Sequence, residues 1–198
     1  MRNVCVQVFA FNELVERAQK RAIESRRELL NSNFDHRATT ELFEEQLKEL
    51  GYPVGDIRWS LSSCQGDGVA FYGKIPDLQK VTKRLLDQKA YRRLQRLLAK
   101  GEITFTIDCL NWRYSHAYTM GVSKCEYLYL SARAEKRAYE LLDYLEACIL
   151  DDIQKVSRKL EKLGYDEIEY QSSDEYVSEE IMENDLEYLA NGETFFMG

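Results

Sequence analysis

The stretch from Ser60 to Gly73, which reads SLSSCQGDGVAFYG, constrains the fold of this chain more than any other feature. Residues 57–61, which overlap the beginning of this stretch, alternate apolar and polar side chains with the two-residue period of a half-buried strand. Asp67-Gly68 is a dipeptide typical of type I′ hairpin turns, in which both central residues need a positive φ. Together these features predict a β-hairpin over residues 56–73 with a polar tip.

The predicted tip carries more glycine than a turn requires. Gly66, Gly68 and Gly73 fall within eight residues of sequence, whereas a turn needs one or two glycines. Glycine lacks a Cβ, so the surplus permits another group to come close to the backbone here. We therefore take the tip as a candidate partner-binding site. Its candidate contact residues are Ser63, Gln65, Gly66, Asp67 and Gly68. The simpler interpretation is an ordinary hairpin turn, and the local sequence favours it.

Charge is distributed very unevenly along the chain. Residues 164–198 contain eleven acidic residues and no lysine or arginine, whereas residues 1–163 contain 23 acidic and 27 basic residues. Nine of those bases fall between residues 74 and 100, against two acids. The pattern separates an acidic C-terminal segment over residues 164–198 from the rest of the chain. Since no Gly/Ser-rich linker is present, we expect this segment to pack on the same domain as a single α+β core over residues 1–163.

The composition also restricts compartment and chemistry. The five cysteines are scattered and odd in number, with no Cys-x-x-Cys pair, which argues against a disulfide framework or a zinc site. No apolar run is long enough to span a membrane, and the N-terminus lacks the pattern of a signal peptide. We therefore expect a cytoplasmic protein with no cofactor, no metal and no membrane partner. The oligomeric state is left open.

The periodicity of the sequence predicts the order of helices and strands. Strand patterns cover residues 3–10, 103–109 and 125–130, with residues 111–116 as a possible continuation of the second. Helix patterns cover residues 12–32, 35–50, 77–99, 132–163 and 173–184. Asn12 is expected to cap the first helix, a break is expected near Asp87 in the third, and Gly164 is expected to end the fourth. A small hairpin is expected over 186–196. The fold class that follows is α+β, with a largely antiparallel sheet, hairpins, helices packed on one face, and one long helix near 132–163.

Three residues have side chains suited to catalysis. Cys64 could act as a nucleophile, His116 as a general base and Asp67 as the carboxylate that orients it. Nothing in the sequence fixes their geometry. A structural cysteine and a hydrogen-bonded structural histidine are therefore the simpler interpretation. The alternative to be tested is an enzyme or small-ligand binder that uses the Gln65–Gly68 tip with His116.

The two charged segments each support a binding hypothesis. Spaced carboxylates in the C-terminal segment can imitate a phosphate backbone, and the candidate contacts there are Asp174, Glu175, Glu179, Glu180 and Glu183. The basic helices over 77–100 could instead contact nucleic acid, although no known nucleic-acid-binding motif is present. A solvated helix face, or pairing between the two segments, is the competing interpretation of both.

Several segments resemble a family of small, mostly uncharacterised bacteriophage and prophage proteins, some loosely labelled antitoxin-like. The resemblance is carried by the Val6–Ala22 pattern, the SLSSCQGDGVAFYG hairpin, the Tyr-Ser-His segment at 114–116, and the ending from Ser173 onward. It implies an accessory protein in the cytoplasm of a bacterial host. Such a protein would bind and neutralise a host nuclease, a restriction- or CRISPR-type effector, or a toxin, and it would more readily be a binding protein than an enzyme.

Overall fold

The computed structural model describes residues 5–32 and 36–195, and it has the α+β fold expected from the sequence. No helix of this described part is long and apolar enough to cross a membrane. The helices are α1 (Glu16–Ser32), α2 (His36–Leu50), α3 (Leu78–Leu85), α4 (Gln88–Leu98), α5 (Ala132–Gln171) and α6 (Asp174–Glu183). The strands are β1 (Phe9–Ala10), β2 (Asp56–Ser60), β3 (Gly68–Lys74), β4 (Gly101–Cys109), β5 (Met120–Leu128) and β6 (Glu187–Tyr188).

The chain forms two compact units. Unit 1 comprises the residues up to His36 together with those from Asp166 onward, and unit 2 comprises Arg37–Tyr165. In unit 1, α1 and α6 bury a small apolar core, and β1 pairs antiparallel with β6. The core residues of unit 1 are Leu14, Ala18, Ala22, Ile23, Val177, Ile181 and Tyr188.

Unit 2 is built on an antiparallel sheet with the strand order β2-β3-β4-β5. Strand β4 alternates buried Ile103, Phe105 and Ile107 with more exposed threonines, as the two-residue period of a strand requires. The face bearing Phe105 is covered by helices, because Lys124, which pairs with Phe105 in the sheet, is bonded to Asp143 and Glu146 of α5. This packing confirms the expected antiparallel sheet with helices on one face.

Strand β3 is buried along most of its length, although it pairs with β4 only at Gly73 and Lys74. Other groups satisfy part of its backbone. The Ser157 hydroxyl of α5 donates to the Val69 carbonyl at 2.5 Å, and the Phe71 amide donates to the Met120 sulfur at 3.4 Å. Helix α5 therefore fixes the position of the hairpin strand that leads to the tip.

Gly164 does not end the long helix, contrary to the sequence prediction. Helix α5 continues through it to Gln171. A Cβ at Gly164 would collide with the Leu61 side chain and would lie 2.8 Å from Phe43 Cζ. Glycine is therefore needed here because α2 and the residue after β2 pack directly on the helix backbone. A helix-stop glycine and a close-packing glycine look the same in a sequence.

The predicted break near Asp87 is confirmed, because it separates α3 from α4. The structure also shows helix caps that were not predicted. The Asp87 carboxylate caps α4 by accepting from the Ala90 amide at 2.8 Å. Ser173 caps α6 in the same way. Gly51 follows α2 with a φ of +84°, which is the left-handed conformation expected after a helix end.

Other local predictions are wrong or fall outside the described residues. Within the described residues 5–10, only Phe9–Ala10 are in a strand, and Asn12 lies inside a 3-10 turn rather than capping α1. Residues 111–116 form a loop instead of continuing β4, and β5 ends at Leu128 rather than at residue 130. Residues 3, 4, 35 and 196 of the predicted elements lie outside the described part.

Candidate functional site

The hairpin predicted over residues 56–73 is present, but its turn differs from the prediction. Ser60 pairs with Gly68, so residues 61–67 form a wide loop, here called the hairpin tip. Asp67 does not have a positive φ, which excludes the type I′ turn at Asp67-Gly68. The tight turn lies earlier. The Asp67 amide donates to the Cys64 carbonyl at 3.2 Å, and Gly66 has a φ of +98°, as a type II turn requires at that position.

The Asp67 carboxylate organises the hairpin tip. Its Oδ2 accepts from the amides of Ser62 and Cys64 at 2.7 and 2.8 Å. Its Oδ1 accepts from the Ser60 hydroxyl at 2.8 Å. These bonds, above all the one from the Cys64 amide, lower the pKa of Asp67 to about 2. The carboxylate is therefore ionised at neutral pH and is used to hold the loop, because hydrogen bonds to the charged form favour it.

Tyr165, at the end of unit 2, completes this arrangement. Its hydroxyl donates to Asp67 Oδ2 at 3.1 Å and accepts from the Ser63 amide at 3.2 Å. Ser63 is held with a φ of +59°, an uncommon conformation for a residue with a side chain. The two hydrogen bonds therefore join the tip to α5.

The surplus glycines permit a close approach by the chain's own loop between β4 and β5. We call residues 110–119 the aromatic loop. A Cβ on Gly66 would lie 2.5 Å from the ring of Tyr114, and a Cβ on Gly68 would lie 2.8 Å from His116 Cβ. The space that these two glycines leave is therefore occupied by side chains of the same chain.

The aromatic loop also contacts strand β2. The Arg58 guanidinium lies 4.2 Å from the ring centroid of Trp112, and Arg58 is itself held by two hydrogen bonds to Asp56 at 2.9 and 2.8 Å. Trp112 therefore contacts β2, Tyr114 contacts the tip, and His116 contacts the start of β3. Alternate residues of the loop face the hairpin, which is the spacing of an extended segment.

A cleft of about 420 Å³ lies between the hairpin tip, the aromatic loop and α5. The rings of Tyr114, His116 and Tyr118 line part of it. The ring centroids of Tyr114 and His116 are 6.2 Å apart, and those of His116 and Tyr118 are 6.1 Å apart. Arg158 of α5 also lines the cleft and donates to the Tyr118 hydroxyl at 2.7 Å. The complete lining is Gln65, Gly66, Asp67, Tyr114, His116, Ala117, Tyr118, Arg158 and Glu161. Asp67 and His116 therefore line the same cleft.

The geometry does not assemble a catalytic triad. His116 Nδ1 accepts a hydrogen bond from the Tyr118 amide at 3.1 Å. It therefore cannot donate a proton from that atom to an orienting carboxylate, which a triad requires. The Asp67 carboxylate is already used within the tip. Cys64 is exposed, donates to the Ser62 carbonyl at 3.5 Å, and does not line the cleft.

The acidic contact residues predicted in the C-terminal segment serve different purposes. Glu180 accepts two hydrogen bonds from Arg26 of α1, one of them at 2.7 Å, and Asp174 is paired with Arg27. These two acids therefore help to hold α1 and α6 together. Glu175, Glu179 and Glu183 are exposed and lie four residues apart along one face of α6; we call these three the acidic stripe.

Sequence analysis missed Arg158, Glu161 and the structural role of Tyr165. Glu161 follows Arg158 by three positions and Tyr165 follows Glu161 by four, so all of them lie on one face of α5. Their shared spacing was the available signal, and it does not set them apart from the many other polar residues of α5. Among the described residues, no group of three or more His, Cys, Asp or Glu side chains is arranged to hold a metal ion.

No protein-family model matches this chain, and neither the curated proteins nor the solved structures gave a match. The resemblance to phage proteins therefore stays a prediction.

Proposed function

We propose that this chain is a protein-binding module, and that its partner contacts the surface formed by the hairpin tip and the aromatic loop. The observation that carries the proposal is the concentration of exposed aromatic side chains on a rigid support. Trp112 and Tyr118 are 73% and 67% exposed. Leu110 and Tyr114 of the same loop are also exposed.

Aromatic residues and arginine dominate the energetically important positions of protein interfaces. In this loop each exposed aromatic ring already has a cationic neighbour. Arg58 lies over Trp112, Arg113 lies 5.4 Å from the centroid of Tyr114, and Arg158 lies 5.4 Å from that of Tyr118. Such contacts fix side chains before a partner arrives and so reduce the entropy lost on binding.

The support beneath the aromatic loop is also ordered in advance. The Asp67 hydrogen bonds hold the tip, and the tip holds Tyr114 and His116 through the two glycine contacts. The saturated Asp67 carboxylate and the engaged His116 Nδ1 argue for binding rather than catalysis. The enzyme alternative loses support for the same reason.

The phage resemblance supplies the proposed partner class. It suggests a nuclease, effector or toxin of a bacterial host, which the chain would neutralise by occupying its surface. Phosphate mimicry is proposed only for the acidic stripe, since Asp174 and Glu180 are engaged with α1. The stripe is a secondary contact in this proposal, and the aromatic loop is the primary one.

The test is partner capture from a nuclease-treated bacterial lysate, followed by affinity measurement with the purified partner. Trp112→Ala and Tyr118→Ala are compared with Tyr127→Ala, which removes a tyrosine of matched exposure (69%) from strand β5. We expect the first two variants to bind roughly tenfold or more weakly, as truncated central residues of interfaces do. We expect the control to bind like the parent chain. Equal affinity for all three variants, or no stoichiometric protein partner, would overturn the proposal.

A further inference from the structure

Helix α4 presents a row of basic side chains on one face. Lys89, Arg92, Arg93 and Arg96 are all exposed and follow the spacing i, i+3, i+4, i+7, so they share one side of the helix. We call these four the basic stripe. The opposite side of α4 is anchored in the core of unit 2 by the fully buried Leu94. The orientation of the row is therefore fixed by packing.

The basic stripe lacks acidic partners. Within the described residues, none of its four side chains forms an ion pair with a carboxylate. Elsewhere in unit 2, several cations are neutralised. Arg84 is bonded to Asp152 at 2.7 Å, and Lys124 is bonded to Asp143 at 2.5 Å. An unpaired row of cations costs free energy through mutual repulsion, and a bound anion would relieve that repulsion.

A groove of about 210 Å³ runs between α4 and the first turns of α5. It is lined by Arg93 and Arg96 of the stripe and by Arg137 of α5, above the aliphatic side chains of Leu97, Ala134, Ala138 and Leu141. The Arg93 guanidinium donates to the Arg137 carbonyl at 3.4 Å. Three arginine residues thus line one groove, and guanidinium matches the geometry of phosphate oxygens.

An exposed aromatic residue, Tyr129, is hydrogen-bonded through its backbone to Lys100, which follows α4. Tyr129 donates its backbone amide to the carbonyl of Lys100 at 3.3 Å, and 90% of Tyr129 is exposed. Proteins that bind single-stranded nucleic acid combine a cationic groove with aromatic rings on which bases stack. A duplex keeps its bases stacked inside and would make no use of this ring, and an acidic peptide has no base to stack.

We infer that unit 2 binds single-stranded nucleic acid along the basic stripe, with phosphates at Arg93, Arg96 and Arg137 and a base on Tyr129. The net charge of −7 does not oppose this. Unit 2 itself contains 21 basic and 18 acidic residues, and the excess of acid belongs to unit 1. The inference concerns a surface other than the cleft and stands apart from the proposed protein-binding function.

The test uses a fluorescent single-stranded DNA of about 20 nucleotides and the full chain. Binding is measured by anisotropy at several salt concentrations between about 50 and 200 mM. Each phosphate contact on a single strand contributes about 0.7 to the slope of log affinity against log salt. The double variant Arg93→Gln, Arg96→Gln is therefore expected to reduce the slope by about 1.4. Tyr129→Ala is expected to weaken binding roughly tenfold with little change of slope.

The matched control is Lys159→Gln, Lys162→Gln, which removes the same charge from two exposed lysines of α5. We expect the control to bind like the parent chain. Three outcomes would overturn the inference: no binding at the lowest salt, equal weakening by the control, or tighter binding to the duplex of the same sequence. Competition by polyglutamate as effective as that by the single strand would point to an acidic protein and would also overturn it.

Discussion

Unit 1 contains 16 acidic and 6 basic residues, whereas unit 2 contains 18 acidic and 21 basic residues. In unit 1 three of the bases are bonded to acids across α1 and the C-terminal segment, through Arg21 with Glu193, Arg26 with Glu180 and Arg27 with Asp174. In unit 2 the basic stripe of α4 has no such partner among the described residues. The basic residues of unit 1 thus include three that hold its own elements together, while those of unit 2 include a row on α4 that is exposed to solvent. Net charge along a sequence therefore overstates the acidic surface that a partner could meet.

The largest expected effect comes from Glu180. Glu180→Ala removes the partner of a half-buried arginine, and we expect it to lower the free energy of unfolding by about 2 kcal/mol, since breaking such a pair leaves an uncompensated charge. Glu179→Ala, at the neighbouring exposed position, should change the free energy of unfolding by less than about 0.5 kcal/mol. Chemical denaturation measures both, and hydrogen exchange of α1 and α6 localises the effect. Similar values for the two variants would mean that unit 1 is not held by this pair.

A smaller effect is expected at the hairpin tip. Gly66→Ala would force an alanine into a φ of +98° and place its Cβ 2.5 Å from Tyr114. We expect a loss of about 1 to 2 kcal/mol in unfolding free energy, together with weaker partner binding because the aromatic loop is displaced. Gly55→Ala is the control, since nothing lies within 4 Å of its Cβ position. If both variants were equally stable, the tip would not be supporting the aromatic loop.

The smallest effect is a local response to acid. The pKa of Asp67 is lowered to about 2 from the ordinary value of 3.8. The folded state thus binds its proton less readily than the unfolded state, and the stabilisation from Asp67 is complete above about pH 4. It is lost as the pH falls from there through about 2. The amide resonances of Ser62 and Cys64 should report this transition in an NMR titration, and Asp67→Asn should remove it. A midpoint near 4 would contradict the hydrogen-bonded loop.

Part of the candidate site was predictable from sequence, because hairpin patterns and caps depend on near neighbours. The two strands that flank the tip were predicted because their alternation of apolar and polar residues depends only on adjacent positions. The roles of Asp67 and His116 were not predictable. An aspartate at position 67 is equally suited to a turn, to general-base catalysis or to ligand binding. Only the positions of the Ser62 and Cys64 amides show that its carboxylate holds the tip together.

The sequence by itself determined the α+β class, the hairpin, the division between α3 and α4, and the separation of charge along the chain. Each of these depends on local periodicity or composition. The tertiary structure alone decided that Gly164 is a packing contact, that the surplus glycines admit Tyr114 and His116, and that Glu180 is paired with Arg26 while Glu179 is not. The physical reason is that these properties depend on which distant segments pack together. The amino-acid type at a position does not indicate which distant residues will contact it in the folded chain.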